Sequence, residues 1–429
     1  MNIKLKHVDS NFEREPLIRP FGFKGGYLTE IWQTAALMES DSGNRQIGLC
    51  SQSVLWSDAT VFATQSETGG NALMYAITER ALQDAKGLSF QNPIELLDNM
   101  LPSLYEYAKK ITGKENLRKT FVLNALVGFD IAAWLVYAGE QGITSFDDML
   151  PEAYQSVLSH RHRQLASIPL MAYGIPIEEI EAAAKQGYFF MKIKIGQPGT
   201  QEQMLEKDKN RIAAIHQAIG HIETEHTENG KIPYYFDANG RYEKKETLQR
   251  LLAYTQRIGA FEQIAIIEEP FPEEYEQDVS DLGVRIAADE SAHTDVDAEK
   301  RIQMGYGAIA LKAIAKTLSM TLKIVKVAHE KNVPCFCADL TVIPILVDWN
   351  KNVAARLAPF PNIGIGLLET NGHQNYRRWK ELVSYHPCAG AIWMKTRDGV
   401  FDLNQDFYER CGGIFLPSKH YQSLFEPVA

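Results

Sequence analysis

Charged residues end a series of short apolar runs in the second half of the sequence, where acids and lysines could perform acid–base or metal chemistry. From FFMKIKIG onward, these endings are Lys194, Asp237, Glu268, Asp289, Lys312, Asp339 and Glu369. A further lysine, Lys192, lies two residues before Lys194, and residues i and i+2 of a strand point to the same face. Because lysine is rarely buried without a partner, the pair indicates a site that uses ammonium groups.

The spacing of these endings predicts the fold that would bring them together. Steps of 21 to 43 residues separate them, and each step has room for a strand, a helix and two loops. Eight such strands, with no GxGxxG after the first, favour a closed (β/α) barrel over an open doubly wound sheet. In such a barrel the carboxyl ends of the strands meet at one face, so we expect the charged endings to converge there.

Three of the converging groups are carboxylates, and this combination predicts a metal site. Asp237, Glu268 and Asp289 would repel one another or hold raised pKa values if they were close together. A hard divalent cation removes the conflict, and carboxylate oxygens suit Mg²⁺, with Mn²⁺ as an alternative. Lysines beside the metal could act as bases, because a neighbouring cation favours their neutral form. The chemistry predicted is removal of the proton α to a carboxylate.

The rest of the chain predicts a second, α+β domain. Residues 1–150 contain a strand-like segment and several helical segments with no repeated strand–helix unit, and residues 151–385 carry the barrel pattern. Residues 386–429 have a strand-and-turn pattern unlike a βα unit. We expect this tail to pack back on the N-terminal domain and complete it.

One acid stands out in the N-terminal part of the sequence. Residues 121–142 read as a long apolar helix closed by glycine, and Asp130 is its only acid before the end. A buried carboxylate needs a partner, so Asp130 is predicted to make a structural hydrogen bond to another helix or to the backbone.

Composition excludes several classes of function. The chain has 429 residues and a formal net charge of -10, which argues against a nucleic-acid partner. It has five cysteines without a CxxC spacing, no apolar leader and no run of about 18 apolar residues. We therefore expect a cytoplasmic protein without a membrane segment.

Five motifs in order carry a resemblance to a known family. KIKIG, FDANG, IIEEP, ADES and ALKAIAK together resemble the enolase superfamily, whose sites are described as using a Lys or His base with Mg²⁺. The KxK pair on the second strand and the lysine on the sixth resemble the muconate-lactonizing-enzyme-like subgroup of the mandelate racemase/muconate lactonizing family. The resemblance implies a modified TIM-type barrel with an N-terminal capping domain, Mg²⁺, and an enediolate intermediate.

Roles for individual residues follow from the same resemblance. Lys194 resembles the base on one face of the substrate, Lys192 the neighbour that tunes its pKa, and Lys312 the base on the opposite face. The three carboxylates named above match the metal ligands. Further polar groups around the ligands would be Asn239, Glu269 and Glu290.

Substrate contacts are expected from the cap and the late strands. The glycine-rich segment RPFGFKGGY lies where the family has a mobile specificity loop, and its Phe21, Phe23 and Lys24 could close over a ligand. Asp339 and Glu369 would face the ligand from the seventh and eighth strands. The eighth strand lacks the DxD with which dipeptide epimerases hold an ammonium group, which counts against a simple dipeptide epimerase.

The reaction stays open at this point. Two opposed lysines favour a racemase or epimerase acting on a small carboxylic acid or amino-acid derivative. A dehydratase or cycloisomerase acting on a hydroxy or unsaturated acid would use the same site, and a non-catalytic barrel that binds an acid or a metal is the competing class. The expected partner is a small carboxylate, and we expect a homo-oligomer.

Overall fold

The first ninety residues form an antiparallel sheet built on a long hairpin. The computed structural model describes residues 2–24 and 26–426. Its first elements are β1 (Ile3–Phe23), β2 (Gly26–Ser40), β3 (Arg45–Gln52) and β4 (Ser89–Phe90), which pair in the order β3-β2-β1-β4. Residues 31–38 of β2 and 48–52 of β3 are buried without a break, so both faces of the middle of this sheet are covered by other parts of the protein.

Helices make up most of the rest of this part of the chain. They are α1 (Val54–Ser57), α2 (Ala59–Ala85), α3 (Pro93–Thr112), α4 (Lys119–Ala125), α5 (Val127–Gln141), α6 (Phe146–Met149) and α7 (Glu152–Gln155). The single long helix predicted over 121–142 is wrong in one respect, because the helix breaks at Leu126 into α4 and α5. Its end is confirmed, since Gly142 closes α5 with a φ of 67°, a conformation in which glycine has no Cβ penalty. We call β1–β4 and α1–α7 the N-terminal unit.

Strands and helices then alternate in the second half of the chain. The strands are β5 (Gln164–Ile168), β6 (Leu170–Met171), β7 (Met191–Lys194), β8 (Tyr234–Asp237), β9 (Ile264–Glu268), β10 (Ile286–Ala288), β11 (Ala308–Leu311), β12 (Cys335–Cys337) and β13 (Gly366–Glu369). The helices between them are α8 (Ile177–Lys185), α9 (Gln201–Ile219), α10 (Lys245–Arg257), α11 (Asp295–Gln303), α12 (Leu318–Glu330) and α13 (Pro344–Ala354). The predicted α/β alternation is confirmed.

This parallel sheet curls until its two ends meet. Its order runs β5-β13-β12-β11-β10-β9-β8-β7-β6. β5 and β6 are consecutive pieces of one chain segment separated by Pro169, and β5 pairs with β13 while β6 pairs with β7. The segment 164–171 therefore joins both ends of the sheet and brings the carboxyl ends of all the strands to one mouth.

The chain after β13, which includes the tail 386–429, contacts both halves of the molecule. Its elements are α14 (Gly372–Asn375), α15 (Trp379–Ser384), β14 (Thr396–Arg397), β15 (Val400–Asp402), α16 (Gln405–Arg410) and α17 (Lys419–Ser423). β15 pairs antiparallel with β5 of the curled sheet. Near the end of the chain, the side chain of His420 lies 2.8 Å from Glu13 of β1. The tail thus fastens the N-terminal unit to the barrel.

Asp130 joins the N-terminal unit to the barrel from inside the core. It is buried on α5, and its carboxylate accepts hydrogen bonds from the backbone N–H of Ser319 at 3.1 Å and from its hydroxyl at 2.5 Å. Ser319 lies in the first turn of α12, where backbone N–H groups lack partners within the helix. The predicted structural role is confirmed, and burial raises the pKa of Asp130 to about 7.

Replacing Asp130 with asparagine is expected to change how stability depends on pH. Its pKa rises from 3.8 to about 7 on folding, so the folded protein keeps a proton that the unfolded chain releases. The stabilisation that protonated Asp130 gives the folded protein is fully present below about pH 4 and is lost as the pH rises through 7. As the pH rises from about 4 to 8, the free energy of unfolding of wild type, measured with urea, should fall by a few kcal/mol relative to that of Asp130→Asn. In the exposed control Asp148→Asn, the free energy of unfolding should depend on pH as it does in wild type. The same pH dependence in Asp130→Asn as in wild type would contradict the raised pKa of Asp130.

Within the described residues, no single helix combines the length and apolar character that a membrane span needs. The consecutive helices α4 and α5 are long and apolar enough only when they are taken together, and they are bent by 49° relative to each other. The residues of this pair are mostly buried in the protein core.

Candidate active site

The two lysines of β7 emerge on one side of the strand, as their spacing predicts. Lys192 is buried among carboxylates: its Nζ lies 3.0 Å from Asp237, 3.0 Å from Glu268 and 3.3 Å from Glu369. Burial lowers the pKa of Lys192, but these three carboxylates outweigh burial and leave the pKa well above its ordinary value. Lys192 is therefore a fixed positive charge at the base of the site.

Lys194 lies two residues after Lys192, at the end of β7 and closer to the mouth of the barrel. Its Nζ lies 2.5 Å from Asp237 Oδ2 and donates to Asn239 Oδ1 at 2.5 Å. Opposing effects act on the Asp237 carboxyl, since burial raises its pKa while Lys192 and Lys194 lower it to about 2. Asp237 is thus ionised and shared between the two lysines of β7.

Three further carboxylates form a compact buried group. Glu268, Asp289 and Glu290 each offer an oxygen, and the three oxygens lie within 4.8 Å of one another. Among the described residues, Asp289 Oδ1 and Glu290 Oε2 are buried without a hydrogen-bond donor, and the nearest ammonium to Asp289 Oδ1 is that of Lys316 at 3.5 Å. Such oxygens are costly unless a cation or a donor reaches them. The donor set is therefore suited to a hard divalent cation such as Mg²⁺.

Glu290 thereby joins two of the residues predicted as metal ligands. The sequence interpretation placed Glu290 among the neighbouring polar groups and Asp237 among the ligands. In the structure, β10 ends at Ala288, so Asp289 and Glu290 belong to the loop, where strand alternation no longer separates their side chains. Asp237 borders the same cavity, with its carboxylate held by lysines.

Lys312 approaches from the other side of the carboxylate group. It follows β11, is buried, and its Nζ lies 2.5 Å from Asp289 Oδ2. The same Nζ stands 4.6 Å from the ring centre of Trp56, which comes from α1 of the N-terminal unit. Burial lowers the pKa of Lys312, and Asp289 raises it, with a net result above its ordinary value.

Two residues that sequence reasoning missed support this arrangement. The Tyr235 hydroxyl donates to Glu268 Oε2, and Tyr235 lies two residues before Asp237, so its position on the same strand face was a usable signal. Lys316 Nζ donates to the backbone carbonyls of Asp289 and Ala292 at 2.6 and 3.0 Å. Lys316 lies four residues after Lys312 in ALKAIAK. This spacing did not predict its role, because the geometry of the turn is needed to place its side chain.

The predicted neighbouring groups Glu269 and Asn239 brace the loops around the carboxylates. Glu269 Oε2 accepts from the backbone N–H of Asp289 and from the N–H and hydroxyl of Ser291. Asn239 donates to Glu290 at 2.9 Å. Both have positive φ values, 39° and 45°, which are uncommon outside glycine and mark functional loops in many proteins.

Asp339 and Glu369, predicted to contact substrate, reach the cavity but carry internal hydrogen bonds. Asp339 accepts from the backbone N–H groups of Leu340 and Asn371 at 2.8 and 2.7 Å. Glu369 accepts from the Asp339 N–H at 3.0 Å as well as from Lys192. The two acids therefore tie the ends of β12 and β13 together. Burial, with help from Glu369, raises the pKa of Asp339 to about 7.

The tip of the β1–β2 hairpin closes over the mouth. Phe21 and Phe23 line an inner cavity of about 40 Å³ together with Lys192, Lys194, Asp237, Asn239, Asp289, Glu290, Lys312, Asp339 and Glu369. Lys24 turns the other way: its Nζ lies 3.1 Å from Glu290 Oε1 and donates to the Trp56 carbonyl at 3.1 Å. Of the residues predicted to contact substrate, Lys24 is the one that attaches the hairpin tip to the barrel, through its ion pair with Glu290.

Lys24→Met is expected to release the hairpin tip. Both members of the Lys24–Glu290 pair are almost fully buried, and removing one partner of a buried ion pair costs about 3 kcal/mol or more. Chymotrypsin should then cut at Phe21 and Phe23 at least about tenfold faster than in wild type, because local opening sets the cleavage rate. Lys24→Arg should protect the tip, as should the exposed control Lys86→Met. Equal cleavage of Lys24→Met and wild type would refute the role of this pair.

A larger outer cavity of about 600 Å³ adjoins the inner one. It shares Phe21, Phe23 and Leu170 with the inner cavity. Its other walls come from the hairpin, from the loop after β6 and the start of α8, from the loops after β7 and β8, and from α14. A ligand entering through the outer cavity would therefore reach the lysines and carboxylates past the two phenylalanines.

Comparison with known proteins finds a family model that matches part of the chain. Residues 177–385 match the model of the family described as Enolase C-terminal domain-like. A search of curated proteins finds no match to the chain.

Solved structures of similar architecture cover almost the whole chain. A mandelate racemase/muconate lactonizing protein from Herpetosiphon aurantiacus has a TM-score of 0.65 and 16% identity, covering 94% of this chain and 96% of its own. The mandelate racemase/muconate lactonizing enzyme from Roseiflexus sp. has a TM-score of 0.65 and 16% identity, with 95% and 96% covered. A dipeptide epimerase from Enterococcus faecalis V583, complexed with Mg and L-Leu-L-Tyr, has a TM-score of 0.63 and 17% identity, with 94% and 97% covered. At these identities the likeness establishes the fold.

Proposed function

We propose that this chain, an enzyme that belongs to the enolase superfamily, removes the proton α to the carboxylate of a small acid and returns a proton to the opposite face. One observation carries the proposal. Lys194 and Lys312 line the same inner cavity from β7 and from the loop after β11, with β8, β9 and β10 between them. The carboxylate-bearing ends of those three strands lie between the two lysines, so an acid held there would have an amine on either side.

The two lysines would share the proton transfers. One neutral amine takes the α-proton, while the ammonium of the other donates a proton to the opposite face of the same carbon. Their roles exchange when the other epimer enters, so racemisation or epimerisation is the favoured reaction. Neutral lysine is the base. Lys194 pairs with Asp237 and Lys312 with Asp289, and a cation held by these carboxylates would favour the neutral amines.

Glu268, Asp289 and Glu290, with Asp237 beside them, would hold a divalent cation, and Mg²⁺ suits this set of oxygens. When bound, such an ion supplies Lewis-acid stabilisation of the negative charge that develops on the substrate carboxylate as the proton leaves. The buried ammonium of Lys192 adds a fixed positive charge to the same region. Lys316 and Glu269 keep the loop that bears Asp289 in place.

The N-terminal unit would act as a cap over the reaction. Phe21 and Phe23 separate the inner cavity from the outer one, and Trp56 packs over the Lys312 ammonium. Excluding water strengthens the electrostatic interactions of the charged groups and suppresses side reactions. We assign the capping role to residues 1–150 together with residues 386–429, and the barrel to residues 151–385.

A second candidate uses the same groups for a different outcome. Lys312 is the more enclosed lysine, with the Trp56 ring over its Nζ and Asp289 against it. If it serves only as a cation beside the developing charge, Lys194 is the single base. Loss of water or ring closure would then replace proton return, which describes a dehydratase or a cycloisomerase.

Proton exchange in D₂O tests the proposal. Wild-type enzyme with Mg²⁺ is incubated with a panel of carboxylic acids, N-acyl amino acids and dipeptides, and the α-proton signal is followed by NMR. The proposal expects at least one acid to lose its α-proton signal, and EDTA to stop the loss. Loss of the signal together with a new vinyl or ring resonance would select the dehydratase or cycloisomerase. Exchange that persists without divalent cation would contradict the metal assignment.

A further inference from the structure

We infer that the substrate carries a second anionic group, a distal carboxylate, and that Arg241 binds it in the outer cavity. This inference rests on the proposed function for the position of the reacting carboxylate. It adds a subsite, a residue and a chemical class of substrate.

The sizes of the two cavities imply an elongated ligand. The inner cavity, of about 40 Å³, is much smaller than the outer cavity that adjoins it. The outer cavity of about 600 Å³ is within the range of ordinary ligand pockets, about 300 to 1,000 Å³. A substrate whose reacting carbon is at the lysines therefore has most of its remaining atoms in the outer cavity.

Arg241 is the polar anchor of that outer cavity. It follows Gly240 in the loop after β8, is half-buried, and lines the cavity wall. Its stem packs on Gly196, where an added Cβ would lie only 2.7 Å from Arg241 Cβ. Within residues 2–24 and 26–426, its guanidinium has no hydrogen-bond or ion-pair partner. A guanidinium held by its stem with free donors is arranged to bind an oxyanion through two parallel hydrogen bonds.

Arg211, unlike Arg241, uses its guanidinium for hydrogen bonds within the protein. Arg211 donates to the backbone carbonyls of Ala172 at 2.9 Å and Ile175 at 3.2 Å. The Tyr173 hydroxyl bonds to the carbonyls of Ile195 and Gly196 at 3.0 and 3.1 Å. These bonds fix two walls of the outer cavity. Arg241 lines this cavity and also a smaller neighbouring one, of about 230 Å³, that Glu269 and Glu290 border. The fixed walls on the barrel side reduce the cost of ordering on binding.

The charges around the cavity favour an anion. Arg19 is exposed at the rim and, among the described residues, is also without a partner. Lys24 is engaged with Glu290 and does not compete for the ligand. The lining holds one carboxylate, the exposed Glu179, and it lies more than 4.0 Å from either guanidinium, since no ion pair forms between them. Two free guanidiniums against one carboxylate leave the cavity positive.

The side chains shared by the two cavities are apolar. Phe21, Phe23 and Leu170 line both cavities, so the part of the substrate that passes from one to the other should be hydrocarbon-like. The class of substrate implied is an elongated dicarboxylic acid with an apolar spacer. One carboxylate lies beside the α-carbon at the lysines, and the other pairs with Arg241.

Calorimetry on the Mg²⁺-loaded enzyme tests the subsite by binding alone. The probes are 2-hydroxydicarboxylates of increasing chain length, each paired with its ω-amide, which has the same shape without the distal charge. Wild type should bind the best diacid about tenfold to a hundredfold more tightly than its amide, as expected for hydrogen bonds to a charged group. Arg241→Met should remove this preference, and Arg241→Lys should keep part of it. The exposed control Arg163→Met should keep all of it.

The outcomes separate the subsite from the proposed reaction. A diacid preference that depends on Arg241, found with no α-proton exchange in any acid, supports the subsite and refutes the reaction. Exchange of monocarboxylic acids, with diacids and amides binding equally, refutes the subsite and leaves the reaction standing. No detectable binding of any diacid, or a preference that survives in Arg241→Met, also overturns the subsite. Thermal melting of each variant confirms that it is folded.

Discussion

Lys194→Met and Lys312→Met should each lower kcat/KM for interconversion of epimers by about 10²- to 10⁴-fold, the usual contribution of a positioned acid or base. Each lysine faces the inner cavity from its own side, so each variant removes one of the two proton-transfer groups. The remaining lysine should still exchange the α-proton of one epimer with solvent. We expect opposite stereochemical preferences from the two variants, measured by NMR in D₂O with each epimer supplied separately.

Two comparisons sharpen this result. Lys86→Met, at an exposed position outside the site, should match wild type in every rate. Circular dichroism should show that both site variants are folded, because methionine retains most of the apolar stem of lysine. Loss of exchange for both epimers in Lys194→Met, with exchange of one retained in Lys312→Met, would contradict two equivalent bases and favour the dehydratase or cycloisomerase.

Asp289→Asn and Glu268→Gln are expected to weaken binding of Mn²⁺, used as a spectroscopic stand-in for Mg²⁺, by about 100-fold or more. Even residues that only orient metal ligands typically contribute 10- to 100-fold to metal affinity. Asp289 also pairs with Lys312 at 2.5 Å and lies 3.5 Å from Lys316, so Asp289→Asn leaves two buried ammonium groups short of a partner. It should be the less stable of the two variants.

Electron paramagnetic resonance of free Mn²⁺ measures the affinity directly and does not depend on turnover. The exposed control Asp148→Asn should bind Mn²⁺ as wild type does. Wild-type affinity in both site variants would show that the cation is held elsewhere. An effect of Asp237→Asn as large as that of Asp289→Asn would place Asp237 among the ligands, as the family resemblance implied.

Much of the architecture was predictable because it follows from periodicity. The polar endings of the apolar runs mark the ends of the parallel strands, and parallel strands present those ends at one mouth. The two lysines of KIK had to share a face because strand side chains alternate. Asp130 was also accessible to reasoning, because a buried carboxylate in an apolar helix requires a donor.

The remaining features depend on contacts that no local pattern encodes. Lys24 and Glu290 pair although they are far apart in the sequence, and their pairing requires the N-terminal unit to be docked on the barrel. Glu290 joins the carboxylate group because β10 stops one residue before Asp289, and strand ends are the least certain part of a sequence prediction. The pairing of β15 with β5 likewise joins segments more than two hundred residues apart.

The position of deuterium early in the reaction of a single pure epimer in D₂O shows directly whether two opposed lysines transfer the proton. Two opposed bases that each exchange with solvent predict deuterium at the α-carbon of the product epimer, while unreacted substrate still carries its original proton. Solvent deuterium in neither epimer, with the proton passed internally from one to the other, would mean a single shielded base. A product with no α-hydrogen, formed by loss of water, would contradict proton return at the second lysine altogether.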